Sequence, residues 1–218
     1  MYSGIAIALA WPETLCKQAG AWYDKPLKWF GINKSNYYKV GHAATILIEK
    51  ASGSCFYFDF GRYHSPHKHG RVRSALTDHE LEIATKAVFD EGGKLSNFQE
   101  IVLELFQNES NHGTGYMIAS YCDINFIAAY RKAIQLQEMS PIPYGPFLPT
   151  GTNCSRFVNK VIVSGEPNWI HRLLLLAPKT LTPTPIGNVK ALNNCITLCY
   201  SAEMQHTKPT PASILNNI

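Results

Sequence analysis

The chain has 218 residues, enough for one sizeable core and short for two, so a single domain over residues 1–165 is expected, with residues 166–218 as a C-terminal extension packed on it. With 45% hydrophobic and 17% charged residues it reads as globular rather than disordered, and its net charge of +4 lacks the clustering of Lys and Arg that a phosphate backbone needs. A nucleic-acid partner is therefore not expected. Nor is a membrane partner, since no segment is long and apolar enough to span a bilayer, and the apolar start has no cation before it and meets Pro12 at once. These features, with six cysteines in a chain that is not a small secreted scaffold, point to a cytoplasmic protein with reduced thiols.

Residues 4–10 read as a buried strand that stops at Trp11-Pro12, because proline has no N–H for a ladder. Residues 13–38, rich in Trp, Tyr and Lys, read as irregular or partly helical. Residues 42–49 and 55–60 form the clearest hairpin in the sequence, joined by Ala51-Ser52-Gly53-Ser54. A polar loop follows over 61–76, dense in cations and histidines. Thr77 and Glu80 have capping-box spacing, and Leu81, Ala84, Ala87 and Val88 recur at helical intervals, which predicts a surface helix ending at Gly92-Gly93.

Ser96 and Gln99 repeat that spacing before an apolar run through Phe106, which fits a helix or a strand. Residues 115–122 read as a strand, and Asp123 as the cap of a helix through Leu136. Four prolines between Ser140 and Pro149 exclude regular structure there. A helix from Cys154 to about Gly165 comes next. It is followed by a short apolar helix over 169–176, a Pro/Thr-rich link over 178–186, a strand near 195–200 and a polar tail.

Two segments carry the chemistry. Lys39-Val40-Gly41-His42 sets a histidine at the mouth of an apolar strand, and Gly151-Thr152-Asn153-Cys154 sets a cysteine at a helix start. A thiol is a good nucleophile where its pKa is lowered, and unpaired N–H groups at a helix N-terminus together with an imidazole do that. The hairpin brings His42 beside the end of the second strand, where Asp59 could hold one ring nitrogen while the other faces the thiol. A shift of one residue in register would turn Asp59 to the opposite face.

The Gly-His strand start, the polar residue near the end of the next strand and the later Asn-Cys at a helix start resemble the circularly permuted branch of the NlpC-type papain-like cysteine hydrolases. Lecithin retinol acyltransferase-like proteins share this order, histidine before cysteine. The resemblance spans about residues 38–165 and is closest to an uncharacterised bacterial family with this core. It implies an α+β fold, an antiparallel sheet packed against the nucleophile-bearing helix, with Cys154 as nucleophile, His42 as base and Asp59 in the orienting position. Asp59 departs from the family pattern, where His, Asn or Gln is commoner.

The expected activity is cleavage of an amide or peptide bond through a thioacyl intermediate on Cys154, without a cofactor. A thioesterase or acyltransferase of the same fold is the alternative, as is an inactive module that binds an acidic ligand through the 62–73 loop. On the substrate side, Arg62, Arg71 and Arg73 of that loop could meet an anionic group. Tyr144 could form a cleft wall, and Asn153 lies next to the nucleophile. Metal sites at His64, His67 and His69, or at Cys195, Cys199 and His206, lack the close Cys-x-x-Cys spacing of a zinc centre and are not expected.

Overall fold

The computed structural model describes residues 2–17, 33–34, 37–38, 41–177, 181–199 and 213–215. Its central element is an antiparallel sheet of β1 (Gly4–Trp11), β5 (His42–Glu49), β6 (Cys55–Gly61), β7 (His69–Arg73), β8 (Met117–Ile124), β9 (Ile142–Pro143), β10 (Asn193–Cys199) and β11 (Ser213–Leu215). The strand order is β11-β10-β8-β1-β5-β6-β7-β9. The short strands β2 (Cys16–Lys17), β3 (Asn33–Lys34) and β4 (Tyr37–Tyr38) pair separately in the order β2-β4-β3. They lie within the segment expected to be irregular or helical, most of which is outside the described residues.

β1 sits between β5 and β8 and is buried along its whole length, so both of its faces must be apolar. Ile5, Ile7, Leu9 and Trp11 line one face, with Ala44, Ile46, Ile48 and Tyr57, beneath α1 (Phe98–Gln107). Ala6, Ala8 and Ala10 line the other, with Ala43, Leu47, Phe58 and Phe60, beneath α2 (Phe126–Glu138), α3 (Cys154–Ser164) and α5 (Pro185–Lys190). The alanine row leaves room for helices to lie close against the sheet. The helix α4 (Trp169–Leu176) packs on α3.

The hairpin forms with Ala44 opposite Asp59 and Gly53 at φ 68°, a left-handed turn position that suits glycine. The apolar run after Ser96 resolves as the helix α1. The cap of α2 is Asn125, whose side chain accepts from the Ala128 N–H, while Asp123 pairs with Lys50. In the proline-rich segment Ile142 and Pro143 add the short edge strand β9 to β7.

The helix expected over 77–92 does not form. Only His79–Leu81 make a single 3-10 turn, and from there Leu81, Ile83 and Ala87 are buried while Glu82, Ala84, Lys86 and Val88 face out. That alternation is extended chain laid over a sheet face. Its backbone groups are satisfied from outside: Glu104 accepts from the Ala84 and Thr85 N–H groups, Asn97 serves Val88 N–H and Lys86 C=O, and Gly53 C=O takes the Ala87 N–H. With these partners a helix gains nothing. The expected link over 178–186 in turn hides the start of α5, where Thr184 caps the Gly187 N–H and Pro185 takes the first helical position.

Candidate active site

Cys154 is the first residue of α3. Asn153 holds an extended backbone at the N-cap, and its side-chain oxygen accepts the Arg156 N–H at 2.8 Å. The helix then buries Cys154, Phe157, Val158, Val161 and Ile162, a stripe at helical spacing that sits on Ala43, Leu47, Phe58 and Phe60. Burial of that stripe fixes where the sulfur lies.

His42 is the first residue of β5, opposite Trp11, whose indole stacks on the imidazole with ring centroids 5.7 Å apart. The preceding Gly41 has φ 74°, and a Cβ there would stand 2.9 Å from the Trp11 carbonyl oxygen. A glycine is needed to turn the chain into this position. By strand alternation His42 points to the sheet face opposite α3, yet its ring lies near enough to the Cys154 sulfur for the two to interact electrostatically. The geometry of β6 explains this. Its pairing with β5 ends at Ala44 opposite Asp59, while its pairing with β7 continues through Gly61 opposite Arg71. The strands part there, the 42–43 end of β5 lacks a β6 partner, and the Ala43 N–H lies near enough to the Cys154 sulfur to favour its thiolate.

Asp59 lies diagonally across from His42 on the same face and is fully buried. Its carboxylate is 3.3 Å from His42 Nε2, leaving Nδ1 as the ring nitrogen available to the thiol. Arg73, opposite Asp59 on β7, donates to both carboxylate oxygens, Nε to Oδ1 at 3.0 Å and Nη2 to Oδ2 at 2.6 Å. The Tyr57 hydroxyl donates to Oδ2 at 3.1 Å and the Tyr63 hydroxyl at 3.4 Å. Tyr63 also stands 3.5 Å from His42 Nε2, with the Arg73 guanidinium over its ring at 3.6 Å and His112 stacked against it.

The electrostatics follow from these contacts. Burial disfavours the charged form of all three groups, and in each case the neighbours outweigh it. His42 is held up at about 9, because the hydrogen bond to Asp59 and the contact with Cys154 exceed the effect of burial. Asp59 stays below the usual carboxylate range, against burial, through His42 and Arg73. Cys154 is lowered, against burial, by His42, Ser155 and the Ala43 N–H. Two other buried thiols show burial without such neighbours: Cys55 is pushed up to about 11 and Cys122 to about 12.

Cys154, His42 and Asp59 thus converge. The loop arginines are disposed differently from the expected substrate-facing set. Arg73 is buried and bound to Asp59, and Arg71 forms a two-pronged ion pair with Asp78 at 2.7 and 2.6 Å and donates to the Tyr63 carbonyl. Two of the three cations are therefore engaged with carboxylates inside the protein. Arg62 lies over the Tyr144 ring at 5.1 Å, and Phe60 stacks on Tyr144. Tyr144 belongs to a loop held against the nucleophile helix by Arg156, which donates to the carbonyls of Gly145, Pro146 and Leu148. Asn153 acts locally as the helix cap.

Sequence reasoning missed Trp11, Tyr57, Tyr63 and His112. Tyr57 had a legible signal, two residues before Asp59 on the same strand face. The other three arrive through loops and register. Among the described residues no group of three or more His, Cys, Asp or Glu is placed to hold a metal ion, and His206 lies outside them. No helix among them is long and apolar enough to cross a membrane.

The site defines a class: a mixed α/β protein with an antiparallel sheet and a buried Cys-His-Asp group at one strand end. The sequence matches the family described as type VI secretion system effector TseH-like over residues 6–169, and the chain belongs to that family. Its fold is similar to the crystal structure of the type VI secretion system effector TseH, with a TM-score of 0.57 and 17% identity, covering 98% of each chain. A search of curated protein sequences gave no match.

Proposed function

We propose that the chain is a cysteine hydrolase with a permuted papain-like core, cleaving an amide or peptide bond. The observation that carries the reading is the placement of buried Cys154 in the first turn of α3 beside His42, whose Nε2 stands 3.3 Å from the Asp59 carboxylate; Cys154 is lowered there, whereas the buried Cys55 and Cys122 are raised. In the proposed reaction the Cys154 thiolate attacks the substrate carbonyl carbon. N–H groups at the start of α3 hold the oxyanion. The His42 imidazolium gives its proton to the leaving nitrogen as the C–N bond breaks, leaving a thioester on Cys154. Neutral His42 then takes a proton from water, the hydroxide attacks the thioester, and the thiolate leaves as the acid product departs. Asp59 keeps the ring oriented throughout.

An ester or thioester substrate would follow the same steps, and another nucleophile in place of water would give acyl transfer. The ion pairing of Arg71 and Arg73 weakens the alternative of an acid-binding module built on the 62–73 loop, whereas the Arg62–Tyr144 pair beside the nucleophile loop remains a candidate substrate wall. The family description supports an activity exercised after delivery from the producing cell rather than in its cytoplasm, the place expected from the sequence. The test is iodoacetamide alkylation against pH, with modified cysteines identified by mass spectrometry, followed by a panel of peptide and ester substrates. Cys154 is expected to react well below the ordinary thiol pKa of about 8.5 and far more slowly in His42→Ala. A Cys154 that reacts no faster than the exposed Cys195 at neutral pH would remove the basis of this reading.

A further inference from the structure

The four groups Cys154, His42, Asp59 and Arg73 form a continuous buried row whose formal charges alternate. The row begins at the helix start and runs through the imidazole and the carboxylate to a guanidinium that is only 2% exposed. Arg73 has no route to the substrate: it lies behind Asp59, its third contact is the Ser110 carbonyl at 3.0 Å, and the Tyr63 ring covers one face. Its placement is nevertheless specific. The register sets it directly opposite Asp59, and its fork meets both carboxylate oxygens, a geometry that a lysine cannot reproduce.

We propose that Arg73 is a positioning residue that sets the charge state of the nucleophile from two residues away. Resting on the reading above, the argument is one of balance. With Arg73 present, thiolate, imidazolium, carboxylate and guanidinium sum to zero in a largely buried site. Without it the same row carries one excess negative charge in a low-dielectric setting, and the least costly relief is uptake of one proton, which leaves a neutral thiol. Among the described residues, the other ionisable groups facing the row are Tyr57 from β6, Tyr63 from the loop after β6, and His112 from the loop before β8. The neighbouring Arg71–Asp78 pair is self-neutralising. None of these supplies a fixed cation to replace Arg73.

Two substitutions separate charge from hydrogen bonding. Arg73→Gln keeps an amide donor for Asp59 and removes the charge, while Arg73→Lys keeps the charge and loses the fork. The readout is the pH midpoint of Cys154 alkylation in the full-length protein. Arg73→Gln is expected to raise that midpoint by about one pH unit, so that alkylation at pH 6.5 slows about tenfold, and Arg73→Lys to restore most of it. A folded glutamine variant with the wild-type midpoint overturns the proposal, because a merely structural arginine would alter stability and leave the titration in place. Should the glutamine variant unfold in buffer, its midpoint is read in a stabilising osmolyte, where a raised midpoint supports the proposal and a wild-type one overturns it; a lysine variant with the midpoint of a free thiol overturns it as well. A wild-type Cys154 with ordinary reactivity would instead refute the hydrolase reading, so the two failures are distinguishable.

Discussion

Cys154 and Cys122 are both almost wholly excluded from water, and the difference in their ionisation comes from their neighbours, His42 first among those of Cys154. Replacing Cys154 by Ala should abolish turnover, and His42→Ala should lower it by about 10²–10⁴-fold, the usual range for a lost general acid–base group, read as kcat/KM on whichever substrate the panel yields. Asp59→Asn tests the same row from its anionic centre. It leaves the buried Arg73 guanidinium without its counter-charge, a change of about 3–5 kcal/mol in sites of this kind, so the urea midpoint should fall sharply even though the side chain is nearly isosteric. A stability unchanged by Asp59→Asn would mean that the guanidinium finds another anion.

The pH dependence of the folded state also belongs to single residues, and its signs follow from the shifts. His42 is raised above its unfolded value of 6.5, so its contribution to stability is fully present below pH 6.5 and is lost as pH rises through about 9. Asp59 is lowered from 3.8, so its contribution is present above that value and is lost as pH falls through its depressed folded pKa. Denaturant midpoints measured from pH 6 to 10 should therefore decline on the alkaline side around 9, and the decline should vanish in His42→Ala. Activity should share that alkaline limb, because the imidazolium proton is needed by the leaving group.

At the scale of elements, α3 decides where the sulfur sits. Asn153→Ala removes the cap and should lower stability by about 1 kcal/mol, with Cys154 alkylation slowed because the first turn frays. Phe157→Ala opens the packing against Phe60 in the same core layer, and should cost about 3–5 kcal/mol in a denaturant titration. The opposite expectation holds for α4, which turns Trp169, Ile170, Leu173 and Leu176 outward and His171 and Leu175 inward. His171 is held by the Ala191 carbonyl at 2.8 Å, so Leu173→Ser should change stability by no more than about 0.5 kcal/mol.

Over the whole molecule, the described residues after Gly165 are built into the fold. The strand β10 pairs with β8, and α5 packs on β1 and β8. A buried amide chain runs from the Leu175 carbonyl through Asn159 and Asn188 to the Ser155 carbonyl, next to the nucleophile. The C-terminal segment thereby braces the first turn of α3 from behind.

How much of this was legible in the sequence depends on the range of the interaction involved. The central hairpin, the Cys154 helix and its cap follow from local rules of alternation, helical spacing and turn residues, whereas grouping Cys154, His42 and Asp59 as a candidate triad also draws on the family resemblance and on a hairpin register open by one residue. The sequence could not say that Thr77 to Gly92 lies extended, because the partners of that backbone, Glu104, Asn97 and Gly53, come from other elements. Nor could it separate Arg73 from Arg62. Both are cations of one loop region, and only strand register decides that Arg73 falls opposite Asp59 and becomes buried with it, while Arg62 lies over Tyr144. Local chemistry singled out Cys154 and His42 as candidates; the tertiary structure placed Arg73 behind Asp59, because register and the parting of β5 from β6 are set by contacts between segments far apart in the chain.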